Sequence, residues 1–225
     1  AVAFSTDGSA LISASDDRTL KVWDASTGAE LRTIVGPAGR VSTCAVSPDG
    51  TWIVSGSEDR TLRVWDAVSD AAPSVSVGHS AAVNACVFSL DGSRIMSASA
   101  DDTVKVWDAA SGRVLRTLSS PRTAALSCAI SASGAAVISG HDDDTLRVWD
   151  VESGVEACTL TGHVRPVYAC AFMLDGCHAV SGSGDRTLRI WDVTAGTELR
   201  NVLAHGERIT GCALSPDNAR IATSS

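Results

Sequence analysis

His79, Ser97 and Asp101 are the residue types of a hydrolase triad. In such a triad the serine attacks, the imidazole takes its proton and the carboxylate orients the ring. The same types return 84 residues later as His163, Ser181 and Asp185. Each set leads, six residues after its Asp, to a tryptophan, Trp107 or Trp191. A catalytic centre is unique in a chain, whereas a structural device can be repeated. The recurrence therefore assigns these residues to the framework and predicts no catalytic residue.

Two other groups invite a chemical reading. The run His141-Asp142-Asp143-Asp144 has the donor types of a metal site. Three consecutive carboxylates point in different directions, however, and Asp is an ordinary turn residue. The run is expected to form a tight turn with no metal. The seven cysteines contain no C-x-x-C pair, and five of them, Cys44, Cys86, Cys128, Cys170 and Cys212, fall at intervals of 42. One position per repeat places them too far apart for disulfides, so they read as small apolar residues of a buried strand. Cys158 and Cys177 lie off this column and are expected to be free. Unpaired thiols suit a reducing compartment, which predicts the cytosol. No glycine pattern for a nucleotide is present, so no cofactor is expected.

The elements that position these residues follow from the period. Trp23-Asp24, Trp65-Asp66, Trp107-Asp108, Trp149-Asp150 and Trp191-Asp192 are spaced by 42 residues without slippage. Asp17, Asp59, Asp101, Asp143 and Asp185 keep the same step, as do Ser13, Ser55, Ser97, Ser139, Ser181 and Thr223. Within one period, four short β-rich runs are separated by turn residues: 83–89, 94–99, 103–107 and 114–118. A four-stranded meander cannot bury both faces alone, but radially stacked copies can. The predicted fold is all-β, a β-propeller of four-stranded antiparallel blades. Blades are expected at about 1–35, 41–77, 83–119, 125–161 and 167–203, with a partial blade at 209–225.

The period, the Gly78-His79 and Gly162-His163 dipeptides and the terminal Trp-Asp resemble the WD-repeat family over the whole chain. The runs at 47–50 (SPDG) and 57–66 (SEDRTLRVWD) are similar in style to arrays attached to signalling ATPases. The resemblance implies a ring that usually has seven blades, of which this chain would be a fragment, with further repeats or domains of the same polypeptide beyond it. It also implies a buried hydrogen-bond chain from the Trp indole to Ser, from Ser to His and from His to Asp. Pro37 and Pro121 stand where repeats two and four should carry that His. Asp59 and Asp143 are then expected to lose their partner. Water or a neighbouring donor replaces it, or the loops are rebuilt for binding.

The net charge is −8, with no block of Lys or Arg, which excludes nucleic acid and anionic membranes as default partners. No apolar run approaches the length of a membrane span. Binding residues are sought where the repeat is broken. The position after the framework Asp reads Arg18, Arg60, Asp102, Asp144, Arg186, and nearby loops add Arg40, Arg122, Asp142, Arg165 and Arg208. The position expected at the channel mouth reads Ser42, Asn84, Leu126, Tyr168, Thr210, and Tyr168 is the sole tyrosine. Tyr168, Arg165, Asp142, Asp144, Asp102, Arg40 and Arg208 are the predicted contacts for a protein or peptide. On the opposite rim Trp52 interrupts a column of Ala10, Arg94, Ala136, His178 and Arg220. The predicted function is a non-catalytic interaction scaffold, such as the sensor arm of a signalling protein. An architectural spacer is the alternative, and a propeller enzyme is the weakest reading.

Overall fold

The computed structural model describes residues 1–69 and 73–225; residues 70–72, within the expected second blade at 41–77, lie outside it. The described residues form five four-stranded antiparallel sheets and one two-stranded sheet, each ordered as the chain runs. The first sheet holds β1 (Val2–Phe4), β2 (Ala10–Ala14), β3 (Thr19–Asp24) and β4 (Glu30–Val35). The second holds β5 (Val41–Val46), β6 (Trp52–Ser57), β7 (Thr61–Asp66) and β8 (Ser74–Val77). The third holds β9 (Val83–Phe88), β10 (Arg94–Ser99), β11 (Thr103–Asp108) and β12 (Val114–Ser119). The fourth holds β13 (Ala125–Ile130), β14 (Ala136–His141), β15 (Leu146–Asp150) and β16 (Glu156–Leu160). The fifth holds β17 (Val167–Phe172), β18 (His178–Ser183), β19 (Thr187–Asp192) and β20 (Thr197–Leu203). The last holds β21 (Gly211–Leu214) and β22 (Ile221–Ser224). This is an incomplete β-propeller of antiparallel blades.

Two compact units divide the chain, one of residues 1–101 with 105–115, the other of 102–104 with 116–225. In the first unit, Ile12, Leu20 and Val22 pack with Val41, Ile53 and Trp65 of the next sheet. Val54 and Leu62 in turn pack with Val83, Phe88 and Trp107. In the second unit, Ile138, Leu146 and Val148 pack with Val167, Ala179 and Trp191. Each core thus lies between successive sheets, because one sheet supplies only half of the apolar lining. A fully buried aliphatic or aromatic side chain contributes about 1.5–3 kcal/mol, so no single sheet would hold alone.

The small residues of the second strands follow from this packing. A Cβ on Gly56 would fall 2.6 Å from Val83 Cγ1, and one on Gly182 would fall 2.4 Å from Ile209 Cγ2. The next sheet's chain lies directly on these positions. The cysteine column belongs to the same seam. Cys44 Sγ approaches Ile12 O at 3.8 Å, Cys86 Sγ approaches Val54 O at 3.9 Å, and Cys170 Sγ approaches Ile138 O at 3.7 Å. Each thiol is a weak donor to the preceding sheet. The expectation of a purely buried column is corrected in part: Cys44, Cys86 and Cys128 are buried, but Cys170 and Cys212 are half-buried. Among the described residues no cysteine forms a disulfide.

Candidate functional site

In each of the five four-stranded sheets the Trp indole Nε1 donates to the repeat Ser. The distance is 2.9 Å for Trp23 to Ser13, 2.8 Å for Trp65 to Ser55 and 2.8 Å for Trp107 to Ser97. It is 2.9 Å for Trp149 to Ser139 and 2.8 Å for Trp191 to Ser181. Ser97 and Ser181 lie 2.7 and 2.8 Å from Nε2 of His79 and His163. Nδ1 of those rings lies 2.9 and 2.8 Å from Asp101 and Asp185. The indole N–H can only donate, so Ser accepts it and gives its own hydrogen to a bare Nε2. Nδ1 then carries the ring proton and donates to the carboxylate. Every hydrogen is used once, and the imidazole is neutral. Burial holds His79 and His163 below the usual histidine range, against the opposing pull of Asp101 and Asp185. Burial by itself raises the Asp185 carboxyl, but hydrogen bonds from Thr187 and His163 outweigh it and bring it down to about 2.

The two repeats with proline solve the missing imidazole differently. In the second, the Ala38 N–H donates to Asp59 Oδ2 at 3.2 Å and the Arg63 guanidinium lies 3.4 Å from the same oxygen. In the fourth, a histidine arrives from another direction. His141 is the last residue of β14, and its Nε2 lies 2.8 Å from Ser139 Oγ. Arg147 takes Asp143 at 3.0 Å. The two tasks of one imidazole are therefore split between His141 and Arg147. The expectation that residues 141–144 form one turn cluster is corrected here. His141 is fully buried inside the sheet, whereas Asp142 is exposed on the turn. Among the described residues, no group of three His, Cys, Asp or Glu side chains could hold a metal ion.

Pro121 also reshapes the loop before β13. Thr123 N donates to Ser120 O at 3.3 Å across Pro121-Arg122, and Arg122 has φ of 68°. Proline followed by a left-handed residue is a type II turn. The Arg122 N–H donates to Asp102 Oδ2 at 2.9 Å. Asp102, predicted as a partner contact, is thus committed to this loop. The column it belongs to has a conformational meaning that the sequence reading missed. Arg18, Arg60, Asp102, Asp144 and Arg186 all have φ between 66° and 72°. Each ends a tight turn in the left-handed region, as after a type I turn in a hairpin. A missed histidine completes the set: His205 Nε2 lies 2.7 Å from Thr223 Oγ1. It stands 42 residues after His163, so the period alone could have found it.

Tyr168 sits at an irregularity in β17. Val167 pairs with Ser183 and Ala169 with Gly182, leaving Tyr168 as the extra residue of a β-bulge. A bulge re-aims its side chain away from the regular alternation. The ring is half-buried, and the Arg208 guanidinium lies over it at 5.7 Å from the ring centre. A Cβ on Gly184 would lie 3.2 Å from Arg165 Cβ and 3.3 Å from Tyr168 Cε2, so both residues flank that glycine. A Cβ on Gly140 would meet Val167 O at 2.7 Å, so the start of β17 lies against the end of β14. Asp142 and Asp144 continue from that end, exposed and half-buried respectively. Arg40 lies in the other unit, near Asp16 at 3.4 Å and Glu58 at 3.8 Å.

Meandering four-stranded sheets, each tying the Trp of its third strand to the Ser of its second, with apolar cores between successive sheets of each unit, define a repeat protein of the β-propeller class. The WD domain, G-beta repeat family matches residues 1–24, 28–66, 73–108, 112–150, 154–192 and 196–225, and the chain belongs to that family. A matched segment such as 28–66 begins with β4 of one sheet and ends with β7 of the next. Sequence repeat and structural blade are therefore one strand out of phase. No curated protein matches the chain. Repeats of this family generally mediate protein interactions and scaffolding. Among the described residues, no helix is long and apolar enough to cross a membrane.

Proposed function

We propose that this chain is a non-catalytic scaffold that binds a protein or peptide partner around Tyr168. The observation that carries this reading is the bulged, half-buried tyrosine with Arg208 over its ring and Arg165 beside the same glycine. Asp142 and Asp144 extend the surface with opposite charge, fixing register more than affinity. A rigid aromatic flanked by charges suits insertion of one partner side chain. The absence of a catalytic role is supported by the serines. Ser97 and Ser181 are fully buried and accept an indole N–H, which leaves no approach for a substrate.

The test is selection of binders from a displayed random-peptide library, followed by measurement on Tyr168→Ala. Selected peptides should lose about 2 kcal/mol or more on that change, a hot-spot-sized effect. Asp142→Ala should act mainly on association rate and salt dependence. Binders indifferent to Tyr168, or an unfolded Tyr168→Ala protein, would overturn the proposal.

A further inference from the structure

Trp52 is the one tryptophan outside the repeat column, and it is 45 % exposed where the five others are buried or half-buried. It stands at the start of β6, where its backbone pairs with Asp66 and its N–H donates to Ser47 Oγ at 2.9 Å. Nothing in the framework requires an indole there, since Ala10 and Arg94 occupy the same position in the neighbouring sheets.

Trp52 lines a groove of about 570 Å³ between the second and third sheets, inside one compact unit. Pro48, Val64, Phe88, Ala109 and Ala110 supply its apolar wall. Among the described residues, its charged lining residues are Asp49 and Asp91, and no Lys or Arg lines it. Both carboxylates are fixed on tight turns, Asp49 by Ser47 at 2.6 Å and Asp91 by Ser93 at 2.7 Å. The corresponding groove between the first and second sheets makes an internal comparison. It is smaller, about 370 Å³, and carries Asp7 and Asp49 but Ala10 in place of the indole. Paired turn carboxylates are thus common to the grooves, and the exposed indole is what distinguishes this one.

An indole face beside two fixed carboxylates, with an apolar wall and no competing cation among the described residues, is complementary to one chemistry. A planar cation on an aliphatic stem can stack on the indole, lay its stem along the apolar wall and meet the carboxylates. We propose that this groove is a second docking site, distinct from the Tyr168 surface, for a basic peptide segment that inserts an arginine side chain between Trp52 and the Asp49–Asp91 pair.

The experiment follows the indole N–H signals of the ¹⁵N-labelled chain while an acetylated, amidated Ala-Arg-Ala peptide is added. The Trp52 signal is identified by its loss in Trp52→Phe. That signal should move saturably while the framework indoles stay still. The same peptide with citrulline, isosteric but uncharged, should move it at least about fivefold more weakly. Trp52→Arg borrows the residue that the third sheet carries at Arg94, so the fold tolerates it, and it should abolish binding. Asp49→Asn with Asp91→Asn should weaken binding and flatten its salt dependence. Equal shifts with arginine and citrulline would overturn the proposal, as would tighter binding of an Ala-Glu-Ala peptide. Unchanged affinity in Trp52→Arg, followed through the Gly92 amide, or no movement of the Trp52 signal would do the same.

Discussion

Replacing His141 by serine tests whether the fourth repeat depends on its relocated imidazole. Serine is what the first, second, third and fifth repeats carry at this position, as Ser15, Ser57, Ser99 and Ser183. Sequence comparison among the repeats would therefore rate the change as conservative. The structure says otherwise. Ser139 is fully buried, accepts the Trp149 indole and shares a hydrogen bond of 2.8 Å with His141 Nε2. Removing the ring strands that hydroxyl, at a cost of about 1–3 kcal/mol for a buried unsatisfied group. His141 is itself fully buried, so the void left by the shorter side chain adds roughly 1 kcal/mol. The expected loss is about 2–4 kcal/mol. It should be read by urea unfolding, with hydrogen exchange locating the weakening in β14 and β15. Placing glycine and histidine at Ser120 and Pro121, as in Gly162-His163, should recover part of the loss only in the His141→Ser background. A loss below about 0.5 kcal/mol, the range of a neutral surface change, would refute the reasoning.

Two further outcomes follow. Ser97→Ala should cost about 1–3 kcal/mol by breaking the Trp107–Ser97–His79 chain, and active-site serine reagents should leave the protein unlabelled, which mass spectrometry would show. Stability against pH should fall on both sides. Burial depresses His79, His141 and His163 in the fold, so the unfolded chain takes up protons first, and stability declines as pH drops below the unfolded value of 6.5. Burial raises Cys44 to about 11, Cys86 to about 12 and Cys170 to about 11, so stability present below the unfolded value of 9.0 is lost as pH rises above it. Denaturant midpoints across pH would check both limbs, and a flat profile between pH 9 and 11 would contradict the alkaline one.

The repeat was legible in the chain because a 42-residue step leaves the same marks in each sheet. Turn residues follow the strands, a Trp meets a Ser on the adjacent strand, and small residues lie where the next sheet closes in. These are local and periodic constraints, so the strand order and the framework serines could be read without coordinates. What replaces the imidazole at Asp59 and Asp143 could not, because it depends on which group reaches that point from elsewhere. His141 and Arg147 share in the fourth repeat what His163 does alone in the fifth. The column from Arg18 to Arg186 was legible only by its charge, and the fold adds that it is a left-handed turn position. Likewise, the bulge at Tyr168 recurs at Ser42, Asn84 and Leu126, and what is particular to the fifth sheet is the guanidinium over the ring, brought by a loop forty residues away. Periodicity specifies what every sheet must share. What one sheet does differently is decided by packing between residues distant in sequence, and that exists only in the folded chain.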